Sequence, residues 1–217
     1  MHTAELIWIT PNSQSLIGKI ARVSNPANED NPNIEKLLRY LIKHKHWSPF
    51  EMASMCVEIK TTRAISPQIL RHRSFSFQEF SQRYAEVTDV DVPQIRRQDK
   101  KNRQNSIDDF SPSETTRLEQ EIADHLTEGM DLYNSLLAQG VAKECARAVL
   151  PMSATTRIYM SGTIRSWLHY CDLRCGNGTQ SEHKKIADEI KGILCWVVPT
   201  IANAMWPNEN TGHTEGL

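Results

Sequence analysis

The sequence predicts an α+β fold: one domain over residues 1–217, in which an antiparallel or mixed sheet is flanked by long α-helices. Three observations carry that prediction. Short apolar or β-branched runs near residues 4–9, 55–60 and 155–160 have the length of strands, and the second alternates with period two. Longer stretches between and after them carry apolar residues three and four apart, the stripe of a helix that buries one face. At 217 residues the chain holds one substantial core, and no shift in composition is sharp enough to mark a linker.

Taken in order, residues 4–9 form an apolar run closed by Pro11, a first strand. Asn31-Pro32 supplies a cap and a first-turn proline for a helix whose apolar face is Ile34, Leu37, Leu38, Leu41 and Ile42. Met55, Val57 and Ile59 alternate with Cys56, Glu58 and Lys60, a half-buried strand. Ser66-Pro67 opens a helix running into Arg71, unless Thr61 caps a longer one kinked at Pro67. Residues 87–105 hold Asp89, Asp91, Pro93, Arg96, Arg97, Lys100, Lys101 and Arg103 with almost nothing apolar, which predicts a mobile surface loop. Ser111-Pro112-Ser113-Glu114 is a capping box for the longest helix, striped by Leu118, Ile122, Leu126, Met130, Tyr133 and Leu137 and stopped at Gly140. A short helix over 142–149 ends at Pro151, and 155–160 reads as a strand. Ile164, Trp167, Leu168 and Cys171 share one helix face, while Arg165, His169 and Asp172 share another, polar one. Thr179-Gln180-Ser181-Glu182 caps a last helix with the stripe Ile186, Ile190, Leu194 and Val197, ended by Pro199.

A net charge of −1 excludes a polycation built to coat nucleic acid, so any anion binding must be local. The local excess lies between Lys60 and Arg83, where Lys60, Arg63, Arg71, Arg73 and Arg83 face Glu79 alone. No stretch approaches the roughly 20 apolar residues needed to span a bilayer, and the first residues lack the build of a secretion signal, so a cytoplasmic protein without a membrane partner is expected. Five cysteines, an odd and sparse set, are expected to be reduced. Cys171 and Cys175 with His169 and His183 form only a weak zinc pattern, and no metal is expected. Neither a G-x-G-x-x-G after a strand nor a G-x-x-x-x-G-K-[ST] occurs, so a bound nucleotide must be held by side chains.

The densest chemistry is in Arg71-His72-Arg73-Ser74-Phe75-Ser76-Phe77-Gln78-Glu79-Phe80-Ser81-Gln82-Arg83, where guanidiniums, an imidazole, a carboxylate and hydroxyls are interleaved with aromatic rings. Guanidinium forks grip phosphate bidentately and the rings offer flat surfaces, so the ligand class is anionic and planar, such as a nucleotide. Arg71, His72, Arg73, Ser81 and Arg83 fall as Arg-His-Arg, seven residues, Ser, one residue, Arg. That spacing resembles the flavin-dependent thymidylate synthases. Four further stretches resemble the same family's recurring blocks in the same order: Ala21-Arg22-Val23-Ser24, His44 to Glu51, Gly140 to Pro151 and Arg165 to Arg174.

The resemblance implies FAD against Arg71, His72, Arg73 and Ser74, with further flavin contacts at Ser24, His46, Ser48, Glu79 and His169. Thr163 stands where many members of the family have asparagine, and a hydroxyl cannot offer an amide's paired donor and acceptor. For dUMP it implies Gln68, Arg71, Glu79, Ser81, Gln82, Arg83, Arg147 and Arg174, with the phosphate falling to Ser81, Arg83 and Arg147. It implies reductive methylation of dUMP to dTMP, with 5,10-methylenetetrahydrofolate as carbon donor, NADPH-reduced FAD as hydride donor and Arg174 as the catalytic residue. It also implies a homotetramer with shared active sites. None of Cys56, Cys145, Cys171, Cys175 or Cys195 has the setting of a nucleophile that could attack uracil instead. Ser81 reads as a phosphate ligand, since Gln82 and Arg83 beside it supply no base. The rival reading is a non-catalytic nucleotide or nucleic-acid binding module that uses the Arg71–Arg83 cluster; a flavin oxidase without a pyrimidine substrate is disfavoured by Arg83, Arg147 and Arg174 together.

Overall fold

Alternation along two long strands sets the architecture. The computed structural model describes residues 1–207; residues 208–217, included in the expected domain, lie outside the described residues. The strands are β1 (Thr3–Ile9), β2 (Ser54–Thr62), β3 (Ser76–Glu79), the short pair β4 (Arg97–Gln98) and β5 (Ser106–Ile107), and β6 (Thr155–Thr163). β1, β2, β6 and β3 lie side by side in that order, each pair antiparallel, so the sheet is antiparallel rather than mixed. Val57 pairs with Met160 and Ile59 with Ile158, which puts apolar residues of both central strands on one face. Glu58 opposite Tyr159 and Lys60 opposite Arg157 occupy the other.

The helices are α1 (Ser13–Ile20), α2 (Glu35–Lys43), α3 (Ser66–Ile69), α4 (Pro112–Ala138), α5 (Lys143–Ala146), α6 (Ile164–Arg174), α7 (Ser181–Val197) and α8 (Pro199–Met205). The main core lies between the apolar sheet face and these helices: Met55, Val57, Ile59, Ile158 and Met160 meet Leu38, Trp167, Leu168, Ile186, Ile190 and Leu194. A smaller cluster of Val87, Tyr133, Ala146 and Ala154 joins α4 and α5 to the sheet's end. α6 is fixed on the sheet by a buried bond in which Trp167 Nε1 donates to the Met55 carbonyl at 3.0 Å.

Several elements differ from the sequence expectations, each for a local reason. α1 was not expected; it holds Ile17 and Gly18 buried, and its Gln14 Oε1 accepts from the Thr200 and Ile201 N–H groups, capping α8 from across the fold. β3 lies inside the Arg-His-Arg stretch, where Phe75 and Phe77 alternate with Ser76 and Gln78. α2 begins at Glu35, not at Asn31: the Asn31 side chain instead accepts from the Asn33 N–H at 2.9 Å, closing a turn ahead of the helix. No side-chain cap forms at the start of α7: its N-cap position falls on Gln180, whose side-chain oxygen accepts from Gln68 Nε2 instead, and Glu182 pairs with Arg96. Pro199 does follow the end of α7, and it also opens α8, as a first-turn proline does.

The long helix α4 agrees with its reading closely. Ser111 accepts from the Glu114 N–H while the Glu114 carboxylate accepts from the Ser111 N–H, and Gly140 follows the C-terminus at φ +81°, a conformation that favours glycine. Residues 87–105, expected as a mobile loop, are anchored at several points. Val87 is buried with its N–H donating to the Tyr133 hydroxyl, Val90 bridges to Ala154, and Arg96 grips Glu182 at 2.6 Å.

Candidate active site

The Arg-His-Arg segment begins where α3 ends. Pro67 sits in the first turn of α3, the His72 N–H returns to the Ile69 carbonyl and the Phe75 N–H to the His72 carbonyl, so the motif is a tight turn between α3 and β3. Phe75 holds that turn down. Its ring meets Trp167 edge-on at 4.6 Å and lies over Gly162 of β6, where an added Cβ would come within 2.4 Å of the ring. Only a residue without a side chain lets the motif lie this close to the sheet.

The turn presents His72 to the C-terminal end of α6, where Arg174 Nε donates to His72 Nε2 at 2.9 Å. Burial, and then the neighbouring Arg174 charge, push the His72 pKa down to about 4. The ring is therefore neutral at physiological pH, with its lone pair on Nε2 and its proton on Nδ1. One imidazole of the motif thus orients the guanidinium singled out for the chemistry.

Behind this pair runs a second chain of polar groups that the sequence reading missed. Tyr170 and His183 are fully or almost fully buried; the Tyr170 hydroxyl lies 3.0 Å from His183 Nε2, His183 Nδ1 lies 3.4 Å from Gln68 Oε1, and Gln68 Nε2 donates to Gln180 Oε1 at 2.7 Å. Burial, with help from Arg174 and His72, holds the His183 pKa down at about 3. A signal for it existed: His183 lies one turn ahead of Ile186 on the apolar stripe of α7, a position where a histidine is carried inward.

On the β3 side, Glu79 is locked in place. Its Oε1 accepts from Ser66 Oγ at 2.6 Å, from Thr156 Oγ1 at 3.0 Å and from Arg63 Nη1. Ser81, Gln82 and Arg83 follow, and Gln82 Nε2 is buried with no hydrogen-bond partner among the described residues. Arg83 reaches the Glu144 carboxylate of α5 at 3.0 Å, an exposed pair, and Arg147 stands just past α5, exposed. Arg71, Arg73 and Arg147 carry no ion pair or hydrogen bond among the described residues, although the chain is rich in carboxylates elsewhere.

A third group forms around α6. Ser74 accepts at its carbonyl from Ser166 Oγ at 3.3 Å, and Thr163 Oγ1 accepts from the Ser166 N–H at 3.2 Å. Thr163 therefore caps α6, a duty that threonine shares with asparagine. The exposed His169 ring meets Trp47 edge-on at 4.7 Å, next to Ser48 and His46, and Glu51 is joined to Arg165 by an ion pair. Burial and Arg165 lower the His169 pKa. Ser24 is exposed beyond α1, where nothing in this chain joins it to the other expected residues; the neighbouring Arg22 instead clamps the Asn31 and Asn33 carbonyls. The structure thus brings Gln68, His72 and Arg174 together, holds Glu79 and Ser74 beside them, sets His46 and Ser48 on either side of the Trp47 that packs on His169, and leaves Ser24 apart.

The arrangement fits a flavin nucleotide and a nucleoside monophosphate on chemical grounds. Exposed guanidiniums left unpaired in a neutral protein suit pyrophosphate and phosphate, and the orphaned buried Gln82 amide calls for an acceptor from a ligand. Among the described residues no three His, Cys, Asp or Glu side chains gather in metal-binding geometry; Cys171 Sγ donates to the Ala187 carbonyl at 3.8 Å. Burial raises the thiols of Cys56 and Cys171, the reverse of what a nucleophile needs.

Fold and site together define an α+β protein with exposed, unpaired guanidiniums suited to anionic ligands and one arginine held against a neutral imidazole. The chain belongs to the thymidylate synthase complementing protein family, whose model matches residues 5–200. It is 52% identical over 192 residues to the flavin-dependent thymidylate synthase of a Synechocystis species, covering 88% of this chain and 89% of that one. It is also 52% identical over 212 residues to a probable flavin-dependent thymidylate synthase of Paramecium bursaria Chlorella virus 1, covering 94% and 98%. Among solved structures, a UMP/dUMP methylase PolB from Streptomyces cacaoi bound with 5-Br dUMP superimposes with a TM-score of 0.83 at 26% identity, covering 94% of both chains.

Proposed function

We propose that this chain is a flavin-dependent thymidylate synthase that methylates dUMP at C5, turning dUMP, 5,10-methylenetetrahydrofolate, NADPH and a proton into dTMP, tetrahydrofolate and NADP⁺. The observation that carries the reading is the Arg174–His72 hydrogen bond, which joins the two stretches of sequence most specific to the family. Relatives at 52% identity bear that activity's name, and the methylase neighbour was solved with a brominated dUMP.

FAD, when bound and reduced by NADPH, supplies the hydride. The chain's own residues do the rest. Arg71 and Arg73 meet the flavin's pyrophosphate from the turn after α3, with Ser74 beside them. Ser81, Arg83 and Arg147 take the substrate phosphate; Arg83 then exchanges Glu144 for phosphate, and an exposed pair of this kind is worth only about 0–1 kcal/mol. Glu79, held by three donors at Oε1, keeps a fixed carboxylate beside the motif turn, where it would meet both ligands.

Arg174 spends its Nε–H on His72 and keeps its four terminal N–H donors for the uracil edge, where they stabilise negative charge as N3 loses its proton. That charge enriches C5 without any thiolate addition at C6, in keeping with buried Cys56 and Cys171. His46 and His169 shape the flavin and folate face. The finer parts of the reading are a homotetramer in which a neighbouring copy completes the site near Ser24 and His46, a single domain and a cytoplasmic setting. Among the described residues no helix is long and apolar enough to cross a membrane.

Release of tritium from dUMP labelled at C5, measured with and without FAD, tests the proposal. Release that requires FAD and NADPH is the expected result. A colourless protein that binds RNA with steep salt dependence and releases no tritium overturns it.

A further inference from the structure

We propose that His183 is a positioning residue for substrate selection: through Gln68 it fixes a donor–acceptor polarity that favours a 4-oxo pyrimidine over a 4-amino one. The inference rests on the thymidylate synthase reading and deepens it. It follows from hydrogen-bond bookkeeping along one buried chain. Gln68 Oε1 can only accept, so His183 Nδ1, 3.4 Å away, carries the ring proton. His183 Nε2 is then the acceptor, and the Tyr170 hydroxyl donates to it across 3.0 Å. At the far end one Nε2–H of Gln68 goes to Gln180 Oε1 at 2.7 Å. The Gln180 side chain also donates to the Glu182 carboxylate, which turns its Oε1 toward Gln68, and with Gln180 so held the direction Tyr170 → His183 → Gln68 → Gln180 is the assignment that satisfies every member.

Reversing the Gln68 amide would set its NH2 against the His183 N–H and its oxygen against Gln180 Oε1. With the orientation locked, Gln68 has one N–H left for a ligand, and a carbonyl oxygen accepts it whereas an exocyclic amine does not. Tyr170 and His183 are 1% and 0% exposed, so solvent cannot substitute for either bond. Burial beside Arg174 and His72 keeps His183 neutral, which preserves the direction of the chain across physiological pH. His183 touches neither Arg174 nor an open surface; it acts through Gln68.

The test compares His183→Gln, which keeps an acceptor near the Tyr170 hydroxyl but offers Gln68 no donor, with His183→Asn, whose amide N–H falls near the place of Nδ1. Both are assayed as flavin-loaded enzyme for KM and kcat on dUMP, and for the ratio of kcat/KM between dUMP and dCMP. The expected result is a KM for dUMP raised about tenfold in His183→Gln with kcat changed less than threefold. The dUMP preference falls about tenfold in the same variant, and His183→Asn restores both values to within threefold of the parent. The double variant Gln68→Ala/His183→Gln should be no worse than Gln68→Ala alone. Equal KM values for His183→Gln and His183→Asn, or losses that add in the double variant, overturn the inference. If Gln68→Ala weakens dUMP and His183→Gln does not, this inference alone falls. If Gln68→Ala leaves dUMP binding untouched, the substrate assignment of the site falls with it.

Discussion

The two banks of the site are built on opposite terms. On one, Gln68, His72, Tyr170, Arg174 and His183 are wholly or partly buried and bonded to one another before any ligand arrives. On the other, Arg71, Arg73 and Arg147 are exposed without a partner among the described residues, and Arg83 has only an exposed one. The groups proposed to aim at a reacting ring are fixed in the fold, where a stray angle would lose transition-state stabilisation. The guanidiniums proposed to neutralise phosphate stay exposed, because a bidentate charge pair tolerates a flexible approach. Aim is bought by burial; grip is left to the surface.

Arg174→Ala should break the buried bank most visibly. One preorganised donor set is worth about 3 kcal/mol, so tritium release should fall roughly a hundredfold or more while circular dichroism remains that of the parent. An Arg174→Ala enzyme with near-parental turnover would place the activation elsewhere. Acid should reach the same bank next. His72 and His183 have folded pKa values of about 4 and about 3 against 6.5 unfolded, so the unfolded chain binds more protons in between. Their contribution to stability is full above pH 6.5 and is lost as pH falls through that window. Urea midpoints between pH 7 and 4 should therefore decline, less steeply in His183→Gln than in the parent.

The exposed bank should respond in binding alone. Arg147→Ala is expected to raise the KM for dUMP about tenfold with kcat nearly intact, and to weaken its dependence on salt. A smaller effect is expected of Gly162→Ala, which forces the Phe75 ring off β6; overpacking of about 1–3 kcal/mol lowers the melting temperature by about 5 °C and loosens flavin. Smallest of all, Glu144→Gln releases Arg83 from its carboxylate and should tighten dUMP by no more than about threefold. An effect of Glu144→Gln as large as that of Arg147→Ala would mean that the surface bank is preorganised after all.

Local pattern made most of the fold legible in the sequence. The capping box at Ser111, the alternation through Val57 and Ile59 and the stripe of α7 each reported a single element, and each element is present. β3 was hidden because Phe75 and Phe77 read as ligand surface, although they alternate as strand residues do; the rings face Trp167 and the core. α1 has few strong helix formers and is held by packing of Ile17 and by its duty to α8. The arginines of the site were legible one by one, from residue type and spacing. The Arg174–His72 contact and the chain through His183 were not, since they depend on how α3, α6 and α7 converge.

The bond between Arg174 and His72 spans 102 positions of the chain. During synthesis the motif turn therefore leaves the ribosome long before the helix that completes it, and the nascent arm waits with its imidazole unclaimed. A polypeptide cut short before Ile164 retains every arginine of the Arg-His-Arg stretch and lacks the one they frame. The length of that loop ties competence to the finished chain: an interrupted product lacks Arg174 and, with Trp167, Leu168, Ile186, Ile190 and Leu194, the helical half of the core against which the motif turn is held.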